Sequence, residues 1–512
     1  MTRVERRLRP ARRVDAVATA GTTSHAHRIL IVDLNNFASF PTLAIGLMTA
    51  ALRERRHRVE VLCPLAYGVP AVQRERRETP VDHLKRRIHL SDAALFRSAR
   101  NMLRGVHHYR LERCDPVILR EVDRALERGF DAVLLSAYLQ HREAVTGIAA
   151  LAAARGVPVL LGGPMFNLAE VARAWRDVPG LSAVVGAEVD RDLPAIVEDL
   201  CAGRDLLVHP GVVLPDGRSS PPAAPLRGLE GLLVPDFTDF PWDRYPVRIV
   251  PVMTGRGCQW DRCLFCSDVI SVSGRTFRTR RVENVLIELE EQARRHGTAS
   301  FLFLDLKLNS WPDMMRGIGR GLQQTVRGAE WVGTVHVDQR RDNGLSRADL
   351  QAAVDGGMRR ISFGLESGSQ RLLDAMCKGS SVERNAEFIR DAHDAGLSIR
   401  CTMFKGFPGE TTADMEATAD FLEAHARYLD RVRFNDFTLH HGTPIWRAMQ
   451  EKSGDAPLIL GAPQDHAART PYRPRGNAER AYRRAKARAL AIVYDINRQP
   501  VRDAARQFDG LM

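Results

Sequence analysis

The sequence predicts an α/β protein with an N-terminal doubly wound, Rossmann-like sheet, then a (β/α)6 partial barrel and a helical C-terminal cap. Three observations carry that prediction. Short apolar runs alternate with helical patterns in two separate series. The second series repeats one strand-helix order six times. A stretch rich in Pro, Gly and Asp lies between them.

Residues 1–27 carry scattered Arg with Thr and Ala and no apolar core, so they are expected to form a loose basic tail rather than a secretory signal. The first series spans 28–203. Its strand candidates are 27–33, 58–63, 131–136, 157–161 and 183–185, with a helix over 42–56 and an Arg-rich, mostly helical insertion over 69–128. Strands alternating with helices imply a parallel sheet covered on both faces. Such sheets take ligands at the carboxyl ends of their strands. The loops there are small and polar: Asn35 and its neighbours, Ser136, Gly162–Gly163, and Gly186 to Glu188. The same residues also suit plain tight turns.

Residues 204–247 read as a linker. Six strand candidates follow at 248–253, 300–304, 331–337, 360–363, 398–404 and 431–437, forming a barrel over 248–446 whose active site is expected at the strands' carboxyl ends. Residues 447–512 read as a helical cap.

Composition narrows the function. The net charge of +12 comes mostly from Arg spread over the whole length, and no zinc-finger, RNP or basic-helix pattern accompanies it, so no nucleic-acid partner is expected. Every apolar run is far shorter than the roughly 20 residues of a membrane-spanning helix. Of eight cysteines, Cys63, Cys114, Cys201, Cys377 and Cys401 are isolated, while Cys258, Cys263 and Cys266 fall within nine residues. That distribution suits a reducing, cytoplasmic compartment and a metal site, not a disulfide framework. Cys377 and Cys401 read as buried small hydrophobes.

The three clustered cysteines follow the barrel's first strand directly, in the segment 254–266 (TGRGCQWDRCLFC). Soft thiolates select zinc or an iron–sulfur cluster. A structural zinc site takes four ligands, and no fourth Cys or His stands at finger-like spacing. Three thiolates suit a cluster with one iron left open, with a zinc-stabilised binding scaffold as the alternative.

This loop resembles the cluster loop of radical SAM proteins, particularly those with an N-terminal cobalamin-binding domain. It departs from the commonest spacing, having four residues rather than three between the first two cysteines. Three further motifs fall on later strand ends: 364–370 (GLESGSQ) with 373–379 (LDAMCKG), 407–411 (FPGET), and 442–444 (GTP). The resemblance implies a 4Fe-4S cluster on Cys258, Cys263 and Cys266. It implies S-adenosylmethionine (SAM) contacts from Phe265, Glu366, Ser367, Pro408 and Gly409. It implies cobalamin held by Asn35, Ser136, Gly162, Gly163, Gly186 and Glu188. The Asp-x-His-x-x-Gly signature of methyl carriers that ligate cobalt through His is missing, so cobalamin is expected to bind without a protein imidazole. Asp305 and Asn309 either line the cavity or cap the next helix.

The implied activity is radical C-methylation of a specialised metabolite, peptide or lipid, with a non-methylating cyclase or oxidase as the alternative. An electron donor such as flavodoxin or ferredoxin is the implied partner. The C-terminal region has neither an RNA-binding module of the methylthiotransferase type nor a second Cys cluster, which disfavours tRNA methylthiolation.

Overall fold

The computed structural model describes residues 26–34, 39–70, 77–92, 98, 100–103, 105–106, 114–267, 277–452 and 456–511. Asn35 lies outside them.

The first sheet contains β1 (Arg28–Asp33), β2 (Arg58–Leu62), β3 (Ala132–Ser136), β4 (Val159–Gly162), β5 (Ala183–Val185) and β6 (Val212–Val213), in the order β2-β1-β3-β4-β5-β6. All neighbours are parallel except the β5–β6 pair. Ile29 to Val32 are wholly buried, as a continuous apolar run must be when helices cover both faces. Helices α1 (Leu43–Glu54), α2 (Pro80–His89), α3 (Pro116–Leu126), α4 (Arg142–Ala153), α5 (Ala169–Arg176) and α6 (Leu193–Cys201) accompany it. Ile29 and Ile31 pack with α1 and α6, while Leu30 and Val32 pack with α3, α4 and α5. The sheet is therefore doubly wound, with its order reversing between β1 and β3.

The second sheet is all parallel, in the order β14-β13-β12-β11-β10-β7. Its strands are β7 (Val250–Val252), β10 (Ser300–Phe303), β11 (Glu330–Val335), β12 (Met358–Glu366), β13 (Ser398–Lys405) and β14 (Arg431–Asp436). A short hairpin, β8 (Gly255–Arg256) with β9 (Arg278–Thr279), flanks the cysteine loop. Helices α7 (Val282–His296), α8 (Pro312–Thr325), α9 (Arg347–Asp355), α10 (Gln370–Ala375), α11 (Val382–Asp394) and α12 (Thr412–His425) connect the strands. Reciprocal capping boxes start two of them, Ser346 with Asp349 at α9 and Thr411 with Asp414 at α12.

Two expectations need correction. Residues 204–247 are more than a linker: Val212–Val213 adds the antiparallel edge strand β6, and Phe237, Phe240 and Tyr245 are buried in a core shared by both sheets. Aromatics spaced among Pro and Asp bury themselves while the Asp carboxylates find a cation. Arg53 bonds Asp236 at 2.7 Å and Asp239 at 2.8 Å. Residues 447–512 are also not purely helical. Between α13 (Pro444–Glu451) and α14 (Arg480–Asn497) lies a hairpin of β15 (Leu458–Leu460) and β16 (Tyr472–Pro474).

After α14 the chain closes the barrel's amino end. Phe508 and Leu511 pack on Ile249, Leu302 and Val332. Arg360 donates to the Phe508 carbonyl at 3.0 Å, and Arg431 binds Asp509 through two nitrogens, at 3.1 and 2.7 Å. Sealing this end leaves the opposite mouth, where the motifs lie, as the open one. Among the described residues no helix is long and apolar enough to cross a membrane.

Candidate active site

The cysteine loop is anchored before it begins. Asp305, just past β10, accepts from Thr254 Oγ1 at 2.7 Å and from the Gly255 N–H at 2.8 Å. Complete burial pushes its carboxyl up to about 6, against these hydrogen bonds. Asp305 thus fixes the entry to the loop instead of lining a cavity or capping a helix. Asn309 does neither as well. Its amide donates to the His336 and Asn343 carbonyls and accepts the His336 N–H, tying β10 to the end of β11.

Within the loop, the four-residue spacing turns at Asp261, in the left-handed region at φ 40°. Trp260 Nε1 donates to the Cys377 carbonyl at 2.8 Å, and the Leu264 N–H to the Met376 carbonyl at 3.0 Å. The Leu264 carbonyl accepts the Ile445 N–H at the start of α13. Gly379, at φ +67°, lies so close beneath Trp260 that a Cβ would overlap the indole ring. Cys258, Cys263 and Cys266 are all partly exposed and in no disulfide, and burial pushes Cys263 up to about 11.

Among the described residues no three His, Cys, Asp or Glu side chains converge on a point that one metal ion occupies. Sulfurs around a single zinc each lie about 2.3 Å from it. A structural zinc takes four ligands, whereas this loop supplies three soft thiolates, a donor set that suits a cluster with one iron left open.

The mouth of the barrel faces this loop. Glu366 ends β12 in a left-handed conformation (φ 60°), where the β12–β13 register shifts, and meets Lys378 Nζ at 3.0 Å in a buried ion pair. Gly364 makes room for the pair, since a Cβ there would collide with the Glu366 carboxylate and crowd the ammonium. Burial works against the Lys378 charge, yet Glu366 and the neighbouring Cys263 and Cys266 hold it protonated, above the usual lysine range. The ammonium stands 5.9 Å from the Phe265 ring centroid, and Phe265 packs edge-on against Phe404 at 5.1 Å.

Ser367 is directed to α12, its hydroxyl 3.0 Å from Thr418 Oγ1. Gly409 turns at φ +84° after Pro408, and its carbonyl accepts from Arg371. Thr443 caps α13 by accepting the Trp446 N–H.

Sequence reasoning left several groups here without a role. Lys378 lay inside a quoted motif. Lys307 forms a buried ion pair with Asp338, which also binds Arg340 at 3.0 Å. Burial holds His336 well below its ordinary range, hence neutral, and its ring stands edge-on to Trp260 at 6.0 Å. The available signal was a charged or polar residue at every strand end, as in 335–338 (VHVD). Cys377 is a correction: it is exposed, because its left-handed backbone (φ 52°) turns outward ahead of Lys378. Cys401 is buried in the barrel core as expected.

A groove of about 1270 Å³ joins the two domains. Tyr138, Arg142 and Pro164 line it from the first sheet, and Ser267, His440 and Arg469 from the barrel side. Ser267 is the residue after Cys266. The wall is thus made by residues just beyond Ser136, Gly162 and Gly163. Gly163, at φ +153°, allows the close approach of the Ala137 carbonyl, and Gly186 that of the Phe166 carbonyl.

Glu188, expected among the cobalamin contacts, is engaged between the domains. It binds Arg278 at 2.6 and 2.9 Å and accepts the Leu226 N–H, while the nearby Asp190 pairs with Arg256 at 2.8 and 2.6 Å. These pairs hold the hairpin that carries the cysteine loop against the end of β5.

Residues 252–422 match the family model of the radical SAM superfamily. An uncharacterized methyltransferase of Pyrococcus horikoshii is 28% identical over 294 residues, 56% of this chain and 62% of the relative. A tRNA-2-methylthio-N(6)-dimethylallyladenosine synthase of Moorella thermoacetica is 30% identical over 172 residues, 32% of this chain and 38% of the relative. The chain therefore spans less than two thirds of the length of either. Among solved structures, the radical S-adenosylmethionine methyltransferase TsrM of Kitasatospora setae, with cobalamin and a [4Fe-4S] cluster bound, superposes with a TM-score of 0.64 at 17% identity, covering 91% of each chain. At that identity the likeness is one of fold. The cysteine-bearing barrel is thus a radical SAM domain, for which a 4Fe-4S cluster and SAM are the cofactors.

Proposed function

We propose that this enzyme is a cobalamin-dependent radical SAM methyltransferase acting on a carbon centre. One observation carries the reading: a single groove runs from the strand-end loops of the first domain to Ser267, immediately beside the cluster cysteines. The TsrM likeness over both domains and the methyltransferase relative support it.

When bound, the cluster with SAM supplies a 5′-deoxyadenosyl radical and the corrinoid supplies a methyl group. The chain's work is to bind, orient and exclude water. Cys258, Cys263 and Cys266 would hold the cluster. Glu366 and Lys378, paired and buried, present fixed opposite charges suited to the amino and carboxylate groups of SAM. Phe265 with Phe404 shields that position, and the turn at Pro408–Gly409 would contact SAM as well. Ser136, Gly162 and Gly163 would bring backbone close to the corrinoid, whereas Glu188 is assigned to the domain clasp. Methylthiotransferase relatives match up to 59% of this chain, but its sequence holds a single cluster of cysteines, so methylthiolation is not the preferred reading.

The test is corrinoid retention. The anaerobically reconstituted protein, mixed with hydroxocobalamin and desalted, is expected to keep about one corrinoid per chain, seen by absorbance. With SAM and a reductant it is expected to form both 5′-deoxyadenosine and S-adenosylhomocysteine. Deoxyadenosine with no corrinoid retained contradicts the methyl-transfer reading and leaves a cyclase or oxidase that works with the cluster and SAM alone.

A further inference from the structure

Helix α2 is docked the wrong way round for an ordinary surface helix. Its polar side faces the protein: the His83 ring lies 4.6 Å from that of Tyr494 on α14, and Arg86 pairs with Glu78, whose N–H donates to the Asn497 carbonyl. Lys486 then anchors the helix end by donating to the Leu90 carbonyl at 2.6 Å. No residue of α2 is buried. Val81 and Leu84, one helical turn apart, are each 57% exposed, while Ile88 on the same face is half-buried. Amphipathic helices normally bury that stripe.

Further exposed apolar residues follow in the next part of the insertion. Arg100 donates to the Ser91 carbonyl at 2.7 Å, holding that stretch at the end of α2. Beyond it Met102, Leu103 and Val106 are 65%, 49% and 46% exposed. Five of the twelve exposed large hydrophobics among the described residues thus fall between 81 and 106. Apolar exposure gathered this way marks a binding surface, in contrast to single exposed side chains.

Charge identifies the occupant. Residues 69–113 hold eleven Lys and Arg against five Asp and Glu, half of the net charge of the chain, and Lys85 and Arg87 are exposed beside the stripe. Aliphatic side chains set among basic ones are the pattern of an element lying in the interface of an anionic bilayer. The insertion also reaches the groove, which its residues Cys114 and Pro116 line.

We propose that Val81, Leu84, Met102, Leu103 and Val106, with Lys85 and Arg87, dock this enzyme on an anionic lipid surface and present a lipid-borne substrate to the groove. The substrate half rests on the proposed function. The docking half needs no cofactor, so either fails without the other.

Co-sedimentation of the full chain with vesicles tests it. Phosphatidylcholine vesicles containing phosphatidylglycerol are expected to bind the protein, pure phosphatidylcholine vesicles much less, and added salt to weaken the binding. The double variant V81D/L84D is expected to lose at least about tenfold in affinity, since withdrawing two aliphatic side chains from the interface removes more than about 1.4 kcal/mol. K85E/R87E, which leaves the apolar stripe intact, should lose binding to the anionic vesicles specifically and guards against a misfolded first variant. Equal binding to both vesicle types, or variants that bind like the parent, overturns the proposal. Self-association of the parent that the variants abolish, without vesicle binding, overturns it in favour of a second copy covering the stripe.

Discussion

Glu410 shows how a motif residue serves its surroundings before any ligand. Following the Pro408–Gly409 turn, it folds back to accept the Gly406 N–H and the Tyr482 hydroxyl, and burial pushes its carboxyl up to about 7. Between the ordinary carboxylate range and about 7 the folded chain keeps a proton that the unfolded chain has released. Stability therefore falls as pH rises through that window. Glu410→Gln is expected to flatten, without abolishing, the decline of melting temperature between pH 5 and 7.5, because Asp305, pushed up to about 6, titrates there too. Parallel curves for parent and variant, followed by circular dichroism, would rule this out. At this scale the sequence was legible where chemistry is local. Three cysteines in one loop announce themselves by spacing. Glu188 did not, because its partner Arg278 lies 90 residues away and only the docking of the two domains brings them together.

At the scale of elements, the strands were legible because parallel strands buried on both faces are continuous apolar runs, as in 29–32 and 301–303. The two-residue strand β6 had no such signal, and the aromatics of 237–245 were masked by the Pro and Asp around them. The closure after α14 was equally hidden, since its Phe and Leu are scattered and its partners Arg360 and Arg431 read as surface charges. Both arginines are about 1% exposed, and Asp509 and the Phe508 carbonyl are their acceptors. Truncation after Gln499 strands two buried cations, and losing one partner of a buried pair costs about 3–5 kcal/mol. The shortened chain is expected to melt far below the parent in a calorimetric scan and to yield to protease at the barrel strands. An unchanged melting temperature would show that this segment is not part of the barrel's core.

For the whole molecule, the two domains act as one unit because a clasp of charges and a seam of aromatics join them. Arg256 and Arg278 bind Asp190 and Glu188 at one side of the cysteine hairpin, and Phe237, Phe240 and Tyr245 fill the space between the sheets. The loop that would carry the cluster is thereby held in fixed register with the groove wall of the first domain. The two-domain plan was visible in the order of strands and helices; the groove was not, because its walls come from both domains and from 466–469 of the C-terminal region. The chemistry depends on the cysteine loop. Iron and acid-labile sulfide analysis of the anaerobically reconstituted chain, with Cys258, Cys263 and Cys266 each replaced by Ala, tests it most directly. The parent is expected to hold about four irons and four sulfides, and each variant much less. Stoichiometric zinc without sulfide in the parent, or a full iron content in any one of the three variants, would contradict it.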